Sequence, residues 1–158
     1  MSITKQTAKH FREVYFGGNW TVSCMKDNLK NITWKQATAK AEDLNTIATL
    51  VFHTNYFVKA LLRVLRGEAL NTNDKFSFDH PAINSEDDWI KMMKEIFEDA
   101  ENAAKLIEQL PESKLFENFT DPKYGNYYRN IHGIIEHTHY HLGQIALVKR
   151  LLERENKK

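Results

Sequence analysis

Chain breakers are scarce in this sequence, and that scarcity most limits how it can fold. Six glycines and three prolines are spread over 158 residues, roughly half the usual share of each. These residues end helices and interrupt strands, so their rarity calls for long uninterrupted elements. In the segment 44–66 the apolar residues Ile47, Leu50, Val51, Phe57, Leu61, Leu62 and Leu65 recur at helical spacing. No stretch of useful length alternates apolar and polar residues as a half-buried strand would. The chain reads as all-α.

The start and stop signals divide it into four major helices. The first covers 4–15 and is broken by Gly17-Gly18-Asn19. A short helix is expected over 20–29, and Thr33 is placed to cap one turn over 34–37. The long helix 44–66 ends where Gly67 can take the left-handed C′ position. The polar segment 71–84, with His80-Pro81, is long enough to cross the end of a bundle. Ser85 followed by Glu86, Asp87 and Asp88 starts a helix that runs to about residue 110, before Pro111. After an irregular stretch over 112–126, the last helix covers 127–153. No repeat, low-complexity tract or linker divides 1–158. The simplest architecture is one four-helix bundle with long crossover connections.

Composition removes several function classes. Lysine and arginine number 22 against 21 aspartate and glutamate residues, for a net charge of +1. That balance lacks the basic excess expected of a protein that binds nucleic acid or an anionic membrane. A single cysteine, Cys24, can form neither an internal disulfide nor a cysteine zinc knuckle. The polar segment 1–10 has no apolar core of a secretory signal, and no apolar run approaches a membrane span. A reducing cytoplasm is the expected location.

The histidines of the last helix separate by direction. Each residue advances the helix by about 100°. On that wheel Ile131, Ile134, Leu142, Ile145 and Val148 define an apolar stripe. His137 and His141 fall together on one flank of the stripe. His132 and His139 fall well away from it, on a side expected to meet water. His137 and His141 are i and i+4, so their Cβ atoms lie about 6 Å apart on one face, where two imidazoles can share a metal ion. His53, between Leu50 and Phe57 on the apolar stripe of its own helix, is the candidate third ligand. A lone inward histidine is more often a hydrogen-bonded core residue. Three neutral imidazoles meeting in a bundle core suit Zn²⁺, Ni²⁺ or Fe²⁺ and leave a coordination position free.

Rival motifs fit badly. Glu136 and His139 make one Glu-x-x-His, whereas di-iron bundles need two copies and two further glutamates. There is no His-Glu-x-x-His, no phosphate-binding glycine loop and no nucleophile elbow.

The run His137-Thr138-His139-Tyr140-His141-Leu142-Gly143-Gln144-Ile145 resembles the HxxYHxGQ signature in the final helix of the DinB/YfiT-like superfamily. Leu50-Val51-Phe52-His53 resembles the segment that supplies that family's first histidine, and the 84-residue separation of His53 from His137 suits it. Residues 15–20 and 128–133 are similar to a DinB-like subgroup. The resemblance implies a bundle of up-down-down-up topology and a homodimer. It implies a divalent metal held by His53, His137 and His141, with zinc or nickel foremost and iron or manganese as alternatives. It further implies chemistry such as transfer to bacillithiol or mycothiol, or hydrolysis. The family takes its name from DNA-damage-inducible expression, which carries no implication of DNA binding.

The leading expectation is a metal-dependent transferase that joins a low-molecular-weight thiol to a small electrophile. A free thiol titrates near 8.5 and is a poor nucleophile until deprotonated. Gln144, beside the two histidines on the wheel, is a candidate to orient a ligand or substrate. Tyr140 and Tyr56 are candidate polar groups near the pocket, and Arg129 and Arg63 candidate partners for a thiol's carboxylates. Two rivals stand beside it. A metal hydrolase needs a general base, and Glu136 points away. A non-catalytic, metal-stabilised stress-response bundle would be favoured if His80 closed the site as a fourth ligand.

Overall fold

Ser2, Thr33, Thr46 and Ser85 each stand just before a helix, and each side chain accepts from the backbone N–H three residues on. Caps of this kind contribute about 1 kcal/mol apiece and fix where each helix begins. In this computed structural model, which describes residues 2–155, they open α1 (Ile3–Phe16), α3 (Trp34–Thr38), α4 (Ile47–Leu65) and α5 (Glu86–Gln109). The short α2 (Met25–Leu29) lies between α1 and α3, and α6 (Tyr127–Glu155) closes the chain. No strand occurs among the described residues. None of their helices is long and apolar enough to cross a membrane.

Two boundaries differ from expectation for local reasons. Asn19 binds the backbone carbonyls of Glu13 and Ser23 through its side chain, and Val22 takes a positive φ of 53°, so 20–24 is a turn and α2 starts only at Met25. Thr46, and not Leu44, caps α4. The irregular stretch before α6 contains 3-10 turns over Glu112–Phe116 and Pro122–Tyr124. At the end of α4, Gly67 at φ 82° lets its own N–H reach Val64 O and the Glu68 N–H reach Arg63 O, which closes the helix as its sequence implied.

Cross-helix contacts fix the directions. Ile3 N–H donates to the Glu112 carboxylate beyond the end of α5, and Phe16 packs on Phe97, so α1 and α5 are antiparallel. His10 lies by His132 and Tyr15 by Thr138, so α1 and α6 run together. Phe57 and His53 meet His137 and His141 in reversed order, so α4 and α6 are antiparallel. The topology is therefore up-down-down-up. The segment between α4 and α5 must travel the length of the bundle, and it passes the middle of α4 on the way.

The core is continuous across the four long helices. Phe11 and Val14 of α1 belong to one buried cluster with Leu61 of α4, Trp89 and Ile96 of α5, and Ile131, Leu142 and Ile145 of α6. Trp89 is fully buried and its indole N–H donates to Ile32 O at 2.8 Å, tying the α2–α3 connection to α5. Arg12 donates to the carboxylates of Glu101 and Glu108, bridging α1 and α5 at the surface. Cys24 is buried and free.

Candidate metal centre

α4 holds no glycine or proline and α6 runs unbroken through Gly133 and Gly143, and their antiparallel packing sets His53 opposite His137 and His141. His53 and His141 are buried and His137 half-buried. His53 Nε2 lies 3.0 Å from His137 Nε2, and His137 Nε2 lies 3.0 Å from His141 Nε2. All three ligand atoms fall within 4.8 Å of one another. Tetrahedral nitrogen ligands at the usual zinc distance stand about 3.3 Å apart, so the cluster is already near the spacing that an ion requires.

The outer nitrogens settle the protonation pattern. Gln144 Oε1 accepts from His141 Nδ1 at 2.7 Å. Ser77 Oγ spends its proton on Asp74 O at 2.7 Å and so accepts from His53 Nδ1 at 3.1 Å. Both rings therefore carry their proton on Nδ1 and present a bare Nε2 lone pair to the cluster. His137 Nε2 can donate to one of them at most, and His137 Nδ1 is buried without a partner. In the absence of a cation, lone pairs confront each other in a partly dry site. A cation would satisfy them together, and this donor chemistry fits a divalent ion.

Electrostatics point the same way. His137 is lowered to about 4, first by burial and then by the neighbouring His141 and His53. His53 is lowered by burial and by His141, and His141 by burial. Three imidazoles held neutral at physiological pH are ready ligands.

Aromatic rings wall the cluster. Phe57 of α4 stands edge-on to His53 and His137 at 5.2 and 4.9 Å. Phe78, from the crossover between α4 and α5, stacks on His53 at 3.9 Å with 12° between planes. Tyr56 pins that crossover: its hydroxyl donates to Asn73 O at 3.0 Å and accepts from Asn73 N–H at 2.9 Å. In the sequence Phe57 reads only as a core residue, and neither Ser77 nor Phe78 stands out. Ser77 and Phe78 lie on an irregular segment, where periodicity carries no signal for what a side chain will touch.

Other expected residues are distributed differently. Tyr140 is two-thirds exposed, with its ring 5.0 Å from that of His141. Arg129 is exposed, about 12 Å along the helix from His137 by helical rise. Arg63 is exposed and pairs with Glu68. Neither arginine stands at the histidines. His80 does not join the cluster: its Nδ1 contacts Pro81 O at 2.8 Å and its ring faces Phe52. The ligand set among the described residues therefore stays at three, as an open site requires.

His132 and His139 do not face open water. Both are half-buried, 6.0 and 6.5 Å from the ring of His10 on α1, and burial lowers both. The wheel placed them off the apolar stripe correctly, but α1 packs on that side of α6.

The family model of the DinB superfamily matches residues 26–145, a span that holds all three histidines. Comparison with curated proteins and with solved structures finds no match.

Proposed function

The chain belongs to the DinB superfamily, and we propose that it is a divalent-metal-dependent transferase that joins a low-molecular-weight thiol, of the bacillithiol type, to a small electrophile. Zinc or nickel is the proposed ion, and the proposed working form is a cytoplasmic homodimer. The observation that carries the reading is the set of converging Nε2 atoms, two of them stripped of protons by Gln144 and Ser77. An ion bound there supplies Lewis acidity that lowers the pKa of a thiol or water at its open position.

The protein's own groups have distinct tasks. His53, His137 and His141 serve as ligands and move no proton. Gln144 and Ser77 hold two of the rings in one tautomer and orientation. Phe57 and Phe78 keep water from one side. Tyr140, exposed beside His141, can donate a hydrogen bond to a group arriving from solvent. In the reaction the thiol proton passes to solvent, the sulfur forms the new S–C bond, and the leaving group departs with its electron pair. Thiol chemistry is favoured over hydrolysis because no carboxylate is grouped with the three histidines among the described residues: Glu136 is exposed, and Asp74, whose charge reaches His53, lies exposed on the crossover.

The test uses untagged protein, wild type and His137→Ala, assayed for bound metal by elemental mass spectrometry. Loaded wild type is then mixed with bacillithiol and 1-chloro-2,4-dinitrobenzene. Near-stoichiometric metal and thioether formation, both lost in the variant, are expected. Hydrolysis of p-nitrophenyl acetate without thiol would replace the transferase with a hydrolase. Wild type that stays empty in zinc, nickel, ferrous iron and manganese would overturn the metal centre.

A further inference from the structure

Beside the histidines, between α4, the crossover and α6, lies a cavity of about 510 Å³, within the size range of small-molecule sites. It shares its wall with the cluster. Phe57, edge-on to His53 and His137, is one of its lining residues, and Ile134 lies on α6 three positions before His137. Leu61, Leu70 and Phe119 make most of the remainder apolar. Its polar groups are Thr72, Asn73, Asn130, Tyr124 and Asp74. Asp74 is the sole charged side chain of the lining, and it is negative. Lys123, the chain neighbour of Tyr124, lies over the Tyr124 ring at 4.9 Å and is paired with Asp121 at 3.5 Å.

We propose that this cavity seats the electrophilic substrate, and that it selects neutral or cationic molecules with an aromatic or aliphatic body against carboxylates and phosphates. The inference rests on the transferase reading for the word substrate, but the binding it asserts does not. An apolar body fills the space against Phe57, Leu61 and Phe119, with the Phe57 ring between it and the histidines. A hydroxyl or ammonium finds acceptors at Asp74 and the two asparagines. An anion would be desolvated opposite a carboxylate with no cation in the lining to meet it.

Fluorine NMR line broadening tests this on the full chain, both metal-loaded and metal-free, with 4-fluorobenzylamine, 4-fluorobenzyl alcohol and 4-fluorobenzoate as probes. The amine and the alcohol are expected to bind, and the benzoate about tenfold more weakly than the amine. Ala60→Leu, which fills the cavity from α4, should abolish broadening. Asp74→Lys, on an exposed turn, should invert the order of amine and benzoate. Circular dichroism confirms that both variants are folded. No binding by the wild type, equal binding of amine and benzoate, or broadening that survives Ala60→Leu would each overturn the proposal. Metal content is measured on the same samples. Selective amine binding by protein that takes up no metal would remove the transferase reading and leave the cavity's selectivity standing.

Discussion

Gln144 Oε1 lies 2.7 Å from His141 Nδ1 and thereby decides which nitrogen of His141 faces His137. Three residues apart on α6, the two side chains meet because helical neighbours at that spacing share a face. Gln144→Ala should leave the helix intact, since alanine is the better helix former. It should free the His141 ring to rotate and change tautomer. Losing such an outer partner usually costs about 10–100-fold in metal affinity. Competition with a chromophoric zinc chelator measures this directly. An unchanged affinity would show that Gln144 plays no part in orienting the ligand.

Acidification should destabilise the metal-free protein through the same histidines. His137 is lowered to about 4 in the folded state, whereas the unfolded chain titrates near 6.5. Between those values the unfolded state binds more protons than the folded one, so stability rises with pH. The contribution is complete above about 6.5 and is lost as pH falls toward about 4. His53, His141, His132 and His139 are lowered too and add in the same direction. The apo melting temperature, followed by calorimetry, should drop steadily on acidification through that window, and less steeply in His137→Gln. A flat profile would mean that folding does not lower these histidines.

Metal should act as a stabilising ligand of the folded state alone. Free ion at one hundred times its dissociation constant adds about 2.7 kcal/mol. For a domain of this size that corresponds to a rise of roughly 5–10 °C in melting temperature. The rise should vanish in His53→Ala and in His137→Ala. Stabilisation by zinc that persists in both variants would locate the ion away from α4 and α6.

How much of this was legible follows from which forces are local. Helical periodicity and the i, i+4 spacing of His137 and His141 are properties of one segment, so the bundle and the inward direction of the pair could be read from residue order. His53 could be found because it interrupts an apolar stripe. Ser77 and Phe78 could not be found, since the crossover's path over α4 is decided by tertiary packing and by the Tyr56–Asn73 bonds. The same limit explains His132 and His139. A helical wheel separates a core stripe from everything else, and it cannot say that α1 will lie along the other side. It also explains the arginines: Arg63 and Arg129 were proposed for their chemistry, and their exposed positions away from the histidines depend on the whole fold.

The crossover itself is a testable strap. Tyr56 holds Asn73 by two hydrogen bonds, and within the next five residues Asp74, Ser77 and Phe78 complete the wall around His53. Tyr56→Phe removes both bonds and keeps the ring. A loss of about 1 kcal/mol in stability is expected, since the partner groups on this exposed segment can turn to water. Amide exchange should accelerate over residues 70–79 and stay unchanged in the middle of α5. Exchange that speeds up uniformly would indicate global destabilisation and dismiss the strap.

Trp89 offers the sharpest test of the fold that carries the site. It is fully buried, and its N–H satisfies Ile32 O from the segment that joins α2 to α3. Trp89→Phe removes the donor, leaves that carbonyl buried and unpaired, and opens a void beside α5. Lost packing and the unpaired acceptor together should cost about 2–4 kcal/mol. Urea denaturation measures this, with an unchanged slope if the native state stays compact. Metal affinity should be nearly unaffected, because the ligands sit on α4 and α6 while Trp89 ties α5 to the α2–α3 connection. A variant that keeps its stability would place the indole in a far looser setting than the one described. A variant that loses metal in proportion to stability would show that the centre is sensitive to packing across the entire bundle.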